Sequence, residues 1–254
     1  MFGASLLLVL AATPAILRRE APPPAATLRR RERGERPDLI GSLRRAESAY
    51  ILPFVFLFGF GGAFFTSMVG PFLADKGLTL TQFGVLAPIA AIAASGAGAV
   101  ATPLLVARFG LRRTAMIGIV LIPLEGVFFA ALALMPSLPP LPIFAAIFAV
   151  LGLGTSVYTF VVNNSRFRWV SKAQAGTDYS LQSSVWNFGI WVAGSAAGFV
   201  AAGIGWAVFF PLAACLATAF GVFYVMTFDR IEALVRRREA AELSEEAGAT
   251  RAAA

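Results

Sequence analysis

The sequence predicts an all-α fold, a polytopic transmembrane bundle of about seven spans, and three observations predict it. Of the 254 residues, 58% are hydrophobic and only 14% are charged. A soluble domain is closer to half apolar and about a quarter charged. The apolar residues come in unbroken blocks, several of them long enough to cross a ~30 Å hydrocarbon core, which takes about 20 helical residues. The 21 Lys and Arg residues fall almost entirely on one side of the alternation that these blocks set up.

The blocks are 2–17, 49–73, 83–106, 114–135, 141–163, 180–202 and 205–227. In lipid a backbone must satisfy its own hydrogen bonds, so single blocks of this length read as helices. One set of connections holds the nine arginines of 18–48, then Arg108, Arg112 and Arg113, then Arg166, Arg168 and Lys172, then the five arginines of the tail. The other set holds only Lys76. Basic loops stay in the cytoplasm. The amino terminus is therefore expected outside and the carboxyl terminus inside, in a plasma (inner) membrane. Merging or losing one block would scramble this asymmetry.

The order along the chain follows. Residues 1–17 read as a transmembrane helix. They lack the positive n-region of a signal peptide, and cleavage would export the Arg-rich stretch behind them. A helix that enters from outside rarely opens a chain, so further helices are expected ahead of Met1. Residues 18–48, with Pro22-Pro23-Pro24 and the run Arg29 to Arg33, read as a solvated basic linker. Residues 49–228 form six helices. Residues 229–254 are a charged tail, in which Ile231, Leu234 and Val235 suggest an amphipathic helix on the membrane surface that fades into disorder.

Composition excludes several chemistries. There is no histidine, which removes His-based triads, His proton shuttles and most zinc sites. The one cysteine, Cys215, cannot form a disulfide within the chain. No paired intramembrane carboxylates and no nucleophile–base pair suggest an enzyme, and neither cofactor nor metal is expected. The charge of +7 follows from loop sidedness and needs no nucleic acid.

Glu125 is the only acid inside a block. It lies about 17 Å in from Thr114 at 1.5 Å per residue, near mid-membrane. A carboxylate there is costly unless paired, protonated or facing water, and intramembrane ionisable groups are functional by default. Glu125 is the proton-coupling candidate. In the sixth block Ser180, Ser184, Asn187, Trp191 and Ser195 share one helical face, with Gln182, Ser183 and Trp186 nearby. Gln182, Ser184, Trp186, Asn187 and Trp191 are expected to line a cavity, and Gly194 and Gly198 to pack helices. Thr66 and Ser67 are further cavity hydroxyls. Gly59, Gly61 and Gly62 can let their helix flex or break. Ala87, Ala91, Ala94, Gly98 and Ala101 form a small-residue seam. Asn163 and Asn164, at the end of the fifth block, either gate or cap it.

Three stretches carry a resemblance. Pro71-Phe72-Leu73-Ala74-Asp75-Lys76-Gly77-Leu78-Thr79-Leu80-Thr81-Gln82-Phe83-Gly84 suits a turn in which Gly77 ends one helix and Thr79 or Thr81 caps the next. Ala107-Arg108-Phe109-Gly110-Leu111-Arg112-Arg113 is a short basic loop turning on Gly110. Ala175-Gly176-Thr177-Asp178-Tyr179-Ser180-Leu181-Gln182-Ser183-Ser184 opens the sixth block. Together with the Arg-rich linker and the six following helices, these resemble the carboxyl-terminal half of a major-facilitator permease. The third stretch is similar to permeases for muropeptides and siderophores. Ala107 stands where the superfamily loop usually has Asp.

The resemblance implies two three-helix units of inverted topology, with residues 1–17 as the last helix of a missing amino-terminal half. It implies gating roles for Arg108, Arg112, Arg113 and Asp178. The function implied is secondary active transport, solute:proton coupled, of a siderophore or muropeptide-like solute. Its partners are the lipid bilayer, the solute, a proton and the missing half. The alternative is a truncated, non-transporting half or an accessory membrane subunit.

Overall fold

The computed structural model describes residues 38–252. The first apolar block and most of the linker lie outside the described residues. The described chain is helical, in seven α-helices and one 3₁₀ turn. They are α1 (Leu39–Arg44), α2 (Ser48–Thr66), α3 (Val69–Asp75), α4 (Leu80–Leu134), α5 (Leu141–Trp169), a 3₁₀ turn at Lys172–Gln174, α6 (Ala175–Ile204) and α7 (Trp206–Ala252). Helix α4 is two spans joined at Gly110, whose φ of 78° and ψ of 166° reverse the chain in one residue. Two spans thus come from α4 and one each from α2, α5, α6 and α7, all long and apolar enough to cross a membrane. They correspond to the last six apolar blocks.

Local chemistry sets the joints. Gly77 takes φ 85° after α3. Thr79 then caps α4: its side chain accepts from the Gln82 amide while Gln82 accepts from the Thr79 amide, a reciprocal capping box. Lys76 donates from Nζ to the carbonyls of Ala133 (2.8 Å) and Met135 (2.7 Å), placing a cation at the carboxyl end of α4. Gly205, at φ 74°, separates α6 from α7.

The most extensive pairings between separate helices run across the two three-helix units. Helix α2 packs on α6, and α4 packs on α5 and α7. Without a hydrophobic drive in lipid, such pairing relies on small residues. A Cβ at Gly59 would overlap Trp186, and one at Gly189 would overlap the Phe56 carbonyl. Gly118 and Gly154 do the same between α4 and α5, and Gly126 meets Ala214 of α7. Phe54, Phe64, Phe65, Phe72, Phe129, Phe209 and Phe210 fill the interior.

Several expectations are corrected. Gly194 and Gly198 have open space where a Cβ would stand. The packing face of α6 is instead Gln182, Gly189, Ala193, Ala197 and Ala201. The α4 seam is Leu86, Ala90, Ala94, Gly98 and Thr102, one residue per turn, so Ala87, Ala91 and Ala101 turn away from its centre. Helix α2 breaks at Ser67 and Met68, beyond its glycines. Linker residues 39–44 form α1, with Ser42 buried. The tail continues α7 rather than lying on the membrane surface: Ile231 and Val235 are buried in the core cluster.

Candidate functional site

A cavity of about 340 Å³ opens where α2, α4, α5, α6 and α7 converge. Helix α2 supplies most of the residues from Leu57 to Thr66, Phe60 and Phe64 excepted, α4 supplies Ile122 and Glu125, and α5 supplies Thr155, Tyr158 and Thr159. Trp186 and Ile190 close it from α6, and Ala217 and Phe220 from α7. That volume falls in the range of small-molecule sites, which are mostly apolar walls with a few placed polar groups. The glycines of α2 make room here: Gly59 accepts the Trp186 ring at its surface, and Gly62 leaves open space.

Glu125 is 8% exposed. Its Oε2 accepts a hydrogen bond from the Thr155 hydroxyl at 3.0 Å, the one hydrogen bond it makes among the described residues. Pro123, two residues earlier, has no amide to offer the carbonyl one turn back, which loosens the helix at this level. The Tyr158 hydroxyl is buried without a hydrogen-bond partner among the described residues. A buried hydroxyl left unpaired costs about 1–3 kcal/mol. The cavity is therefore lined by one carboxyl group and three threonines on largely aromatic and aliphatic walls, with the buried Tyr158 hydroxyl close behind its ring.

Of the cavity candidates, Thr66, Glu125 and Trp186 line this space. Gln182 is buried outside the lining, and its Oε1 has no hydrogen-bond partner among the described residues. Ser67 lies outside the lining, its buried hydroxyl without a hydrogen-bond partner among the described residues. Ser184, Asn187 and Trp191 lie on the exposed side of α6, Trp191 at 74% exposure. Ser184 and Asn187 bond back to the carbonyls of Ser180 and Ser183.

The gating candidates separate into two groups. Asp178 is buried and accepts from Arg45 (2.6 Å), the Ser42 hydroxyl (2.7 Å) and the Ser171 amide (2.9 Å). It thereby ties α1 to the start of α6. Close by, Arg238 of α7 pairs with Glu47 at 2.8 Å and donates to the carbonyls of Trp169 and Val170. Arg112 pairs with Asp229 at 2.6 Å on the surface, and Arg113 lies in the same shallow recess. Arg108 sits over the Phe109 ring. Asn163 accepts from Arg166, and Asn164 is exposed. Because α5 runs on to Trp169, neither asparagine caps it.

Arg166 is the residue that sequence reading misplaced. It was expected in a loop, and it is fully buried inside α5. Its guanidinium donates to Asn163 (3.1 Å) and to Ser183 (3.1 Å) and lies over the rings of Trp186 (4.8 Å) and Tyr179 (5.4 Å). Thr155, Tyr158 and Thr159 were also not singled out. The spacing of Thr155, Thr159, Asn163 and Arg166 at four, four and three residues marks one helical face and is readable in the sequence.

A bundle of helices long and apolar enough to cross a membrane, around a mostly apolar cavity with a few placed polar groups, defines an integral membrane protein. The family model described as the Major Facilitator Superfamily matches residues 56–252. The chain belongs to that superfamily of transporters. No curated protein matches its sequence.

Proposed function

We propose that the cavity is half of the solute site of a proton-coupled secondary transporter, with Glu125 carrying the proton. One observation supports this above others: a lone carboxyl group near mid-span, held by the Thr155 hydroxyl, lines a cavity formed by both three-helix units. A carboxyl in that setting is neutral or faces a solute or water. Protonation and solute binding at adjacent positions give the coupling that symport needs. The aromatic walls and the unpaired Tyr158 hydroxyl suit an amphipathic solute, which agrees with the resemblance to siderophore and muropeptide permeases. The alternating-access mechanism requires two bundles rocking about the site. A second six-helix bundle set against the exposed side of α6, where Ser184, Asn187 and Trp191 stand, completes the transport unit. The basic ends face the cytoplasm in this reading.

The test is solute uptake into proteoliposomes, with and without an inwardly directed proton gradient, acid outside. Gradient-driven uptake of a siderophore or muropeptide is expected, and Glu125→Gln is expected to abolish its dependence on the gradient. Undiminished, gradient-driven uptake by Glu125→Gln removes the coupling role. Absence of uptake by this chain, together with uptake once a second half is supplied, identifies it as a half that does not transport alone.

A further inference from the structure

Arg166 lacks what a buried arginine ordinarily has. Among the described residues it forms no ion pair with a carboxylate. Two of its five N–H donors have side-chain acceptors, and its Nε is buried without a hydrogen-bond partner. An uncompensated charge in a bilayer-spanning helix costs several kcal/mol. Two aromatic rings offset part of that: a cation over an aromatic face gains about 0.5–2 kcal/mol. The neutral amide and hydroxyl beside it do not supply the missing negative charge.

The side chain lies toward the cavity. Helical side chains lean to the amino end of their helix, and here that end leads to Asn163 and then to Thr159 in the cavity wall. Trp186 stands between the two. One face of its indole covers the guanidinium, while the residue lines the cavity beside Phe58, whose ring it stacks on at 6.2 Å. Trp186 thus separates a lone buried cation from a space built for solute.

We propose that Arg166 anchors an anionic group of the transported solute, a carboxylate that reaches it through the cavity as the Trp186 indole swings off the guanidinium. This rests on the reading of the cavity as a solute site and adds to it a charge class. The planar fork donates two parallel hydrogen bonds to a carboxylate. The apolar or aromatic remainder of the solute stays against the cavity walls. No covalent step is involved.

Benzoate and benzamide share size and shape and differ in charge, which makes them the probes. The full chain in detergent is titrated with each, and the tryptophan fluorescence response of Trp186→Phe is subtracted. A saturable response to benzoate and none to benzamide is expected. Arg166→Lys keeps the charge but loses the fork, and should weaken the benzoate response by about tenfold or more. A readout that needs no variant accompanies it: benzoate should raise the melting temperature of the wild-type chain, and benzamide should not. Equal responses to both probes, no response to benzoate, or an unchanged response in Arg166→Lys overturns the proposal. Gradient-driven uptake on the same preparation decides the transport reading separately.

Discussion

Glu125 and Arg166 are both ionisable groups surrounded by apolar helices, and their surroundings differ in kind. Glu125 has a hydroxyl donor and borders open space. Arg166 is sealed by rings. The glycines show the same contrast between neighbours of one type. A methyl at Gly59 has no room beside Trp186, and one at Gly194 meets nothing. Gly59→Ala should therefore destabilise the detergent-solubilised protein by about 1–3 kcal/mol, through overpacking. Gly194→Ala should leave the thermal unfolding midpoint unchanged or slightly raised, because Ala outranks Gly in a helix by about 1 kcal/mol. Parallel melting curves check both. Glu125 was legible in the sequence because an acid in an apolar block has no ordinary explanation. Arg166 was not, because three residues from the end of a block an arginine reads as a loop anchor, and only the extension of α5 to Trp169 buries it.

At the scale of elements, six spans were legible because about 20 apolar residues have few alternatives in lipid. Their joints were legible as well: Gly77, Thr79 and Gly110 act through local backbone chemistry that needs no tertiary partner. What failed were the segments whose structure depends on partners distant in sequence. Residues 39–44 are polar by composition, yet α1 is held by Asp178, more than 130 positions along the chain. The α7 extension has the pattern of a surface helix, but its apolar side meets protein. This gives a direct test. Ile231→Ala should cost about 2–4 kcal/mol as a core truncation, whereas a helix resting on lipid would barely respond. Asp178→Asn and Arg45→Gln should each lower stability by about 1–3 kcal/mol. Combined, they should lower it by less than the sum, since they remove one shared interaction. A double-mutant cycle by thermal unfolding measures that coupling. The α6 stripe was half legible: its period identified a face, but α2 covers the neighbouring face through Gly189, Ala193 and Ala197.

For the whole molecule, the charge asymmetry predicts an orientation, and orientation can be measured. In a Cys215→Ala background, Thr81→Cys lies at the sparsely charged end and Ser244→Cys at the basic end, both on exposed residues. A membrane-impermeant maleimide added to intact cells should label Thr81→Cys and reach Ser244→Cys only after permeabilisation. The reverse pattern would invert the topology. The sparsely charged end carries a further implication through Lys76. Its ammonium is bound to the last carbonyls of α4, and Asp75 beside it accepts from the Trp206 indole. The adjacent plus and minus nearly cancel, so this pair lends that end of the bundle almost no local charge. With Arg166 as the proposed anchor, selection by charge rests with the interior of the bundle and not with this rim.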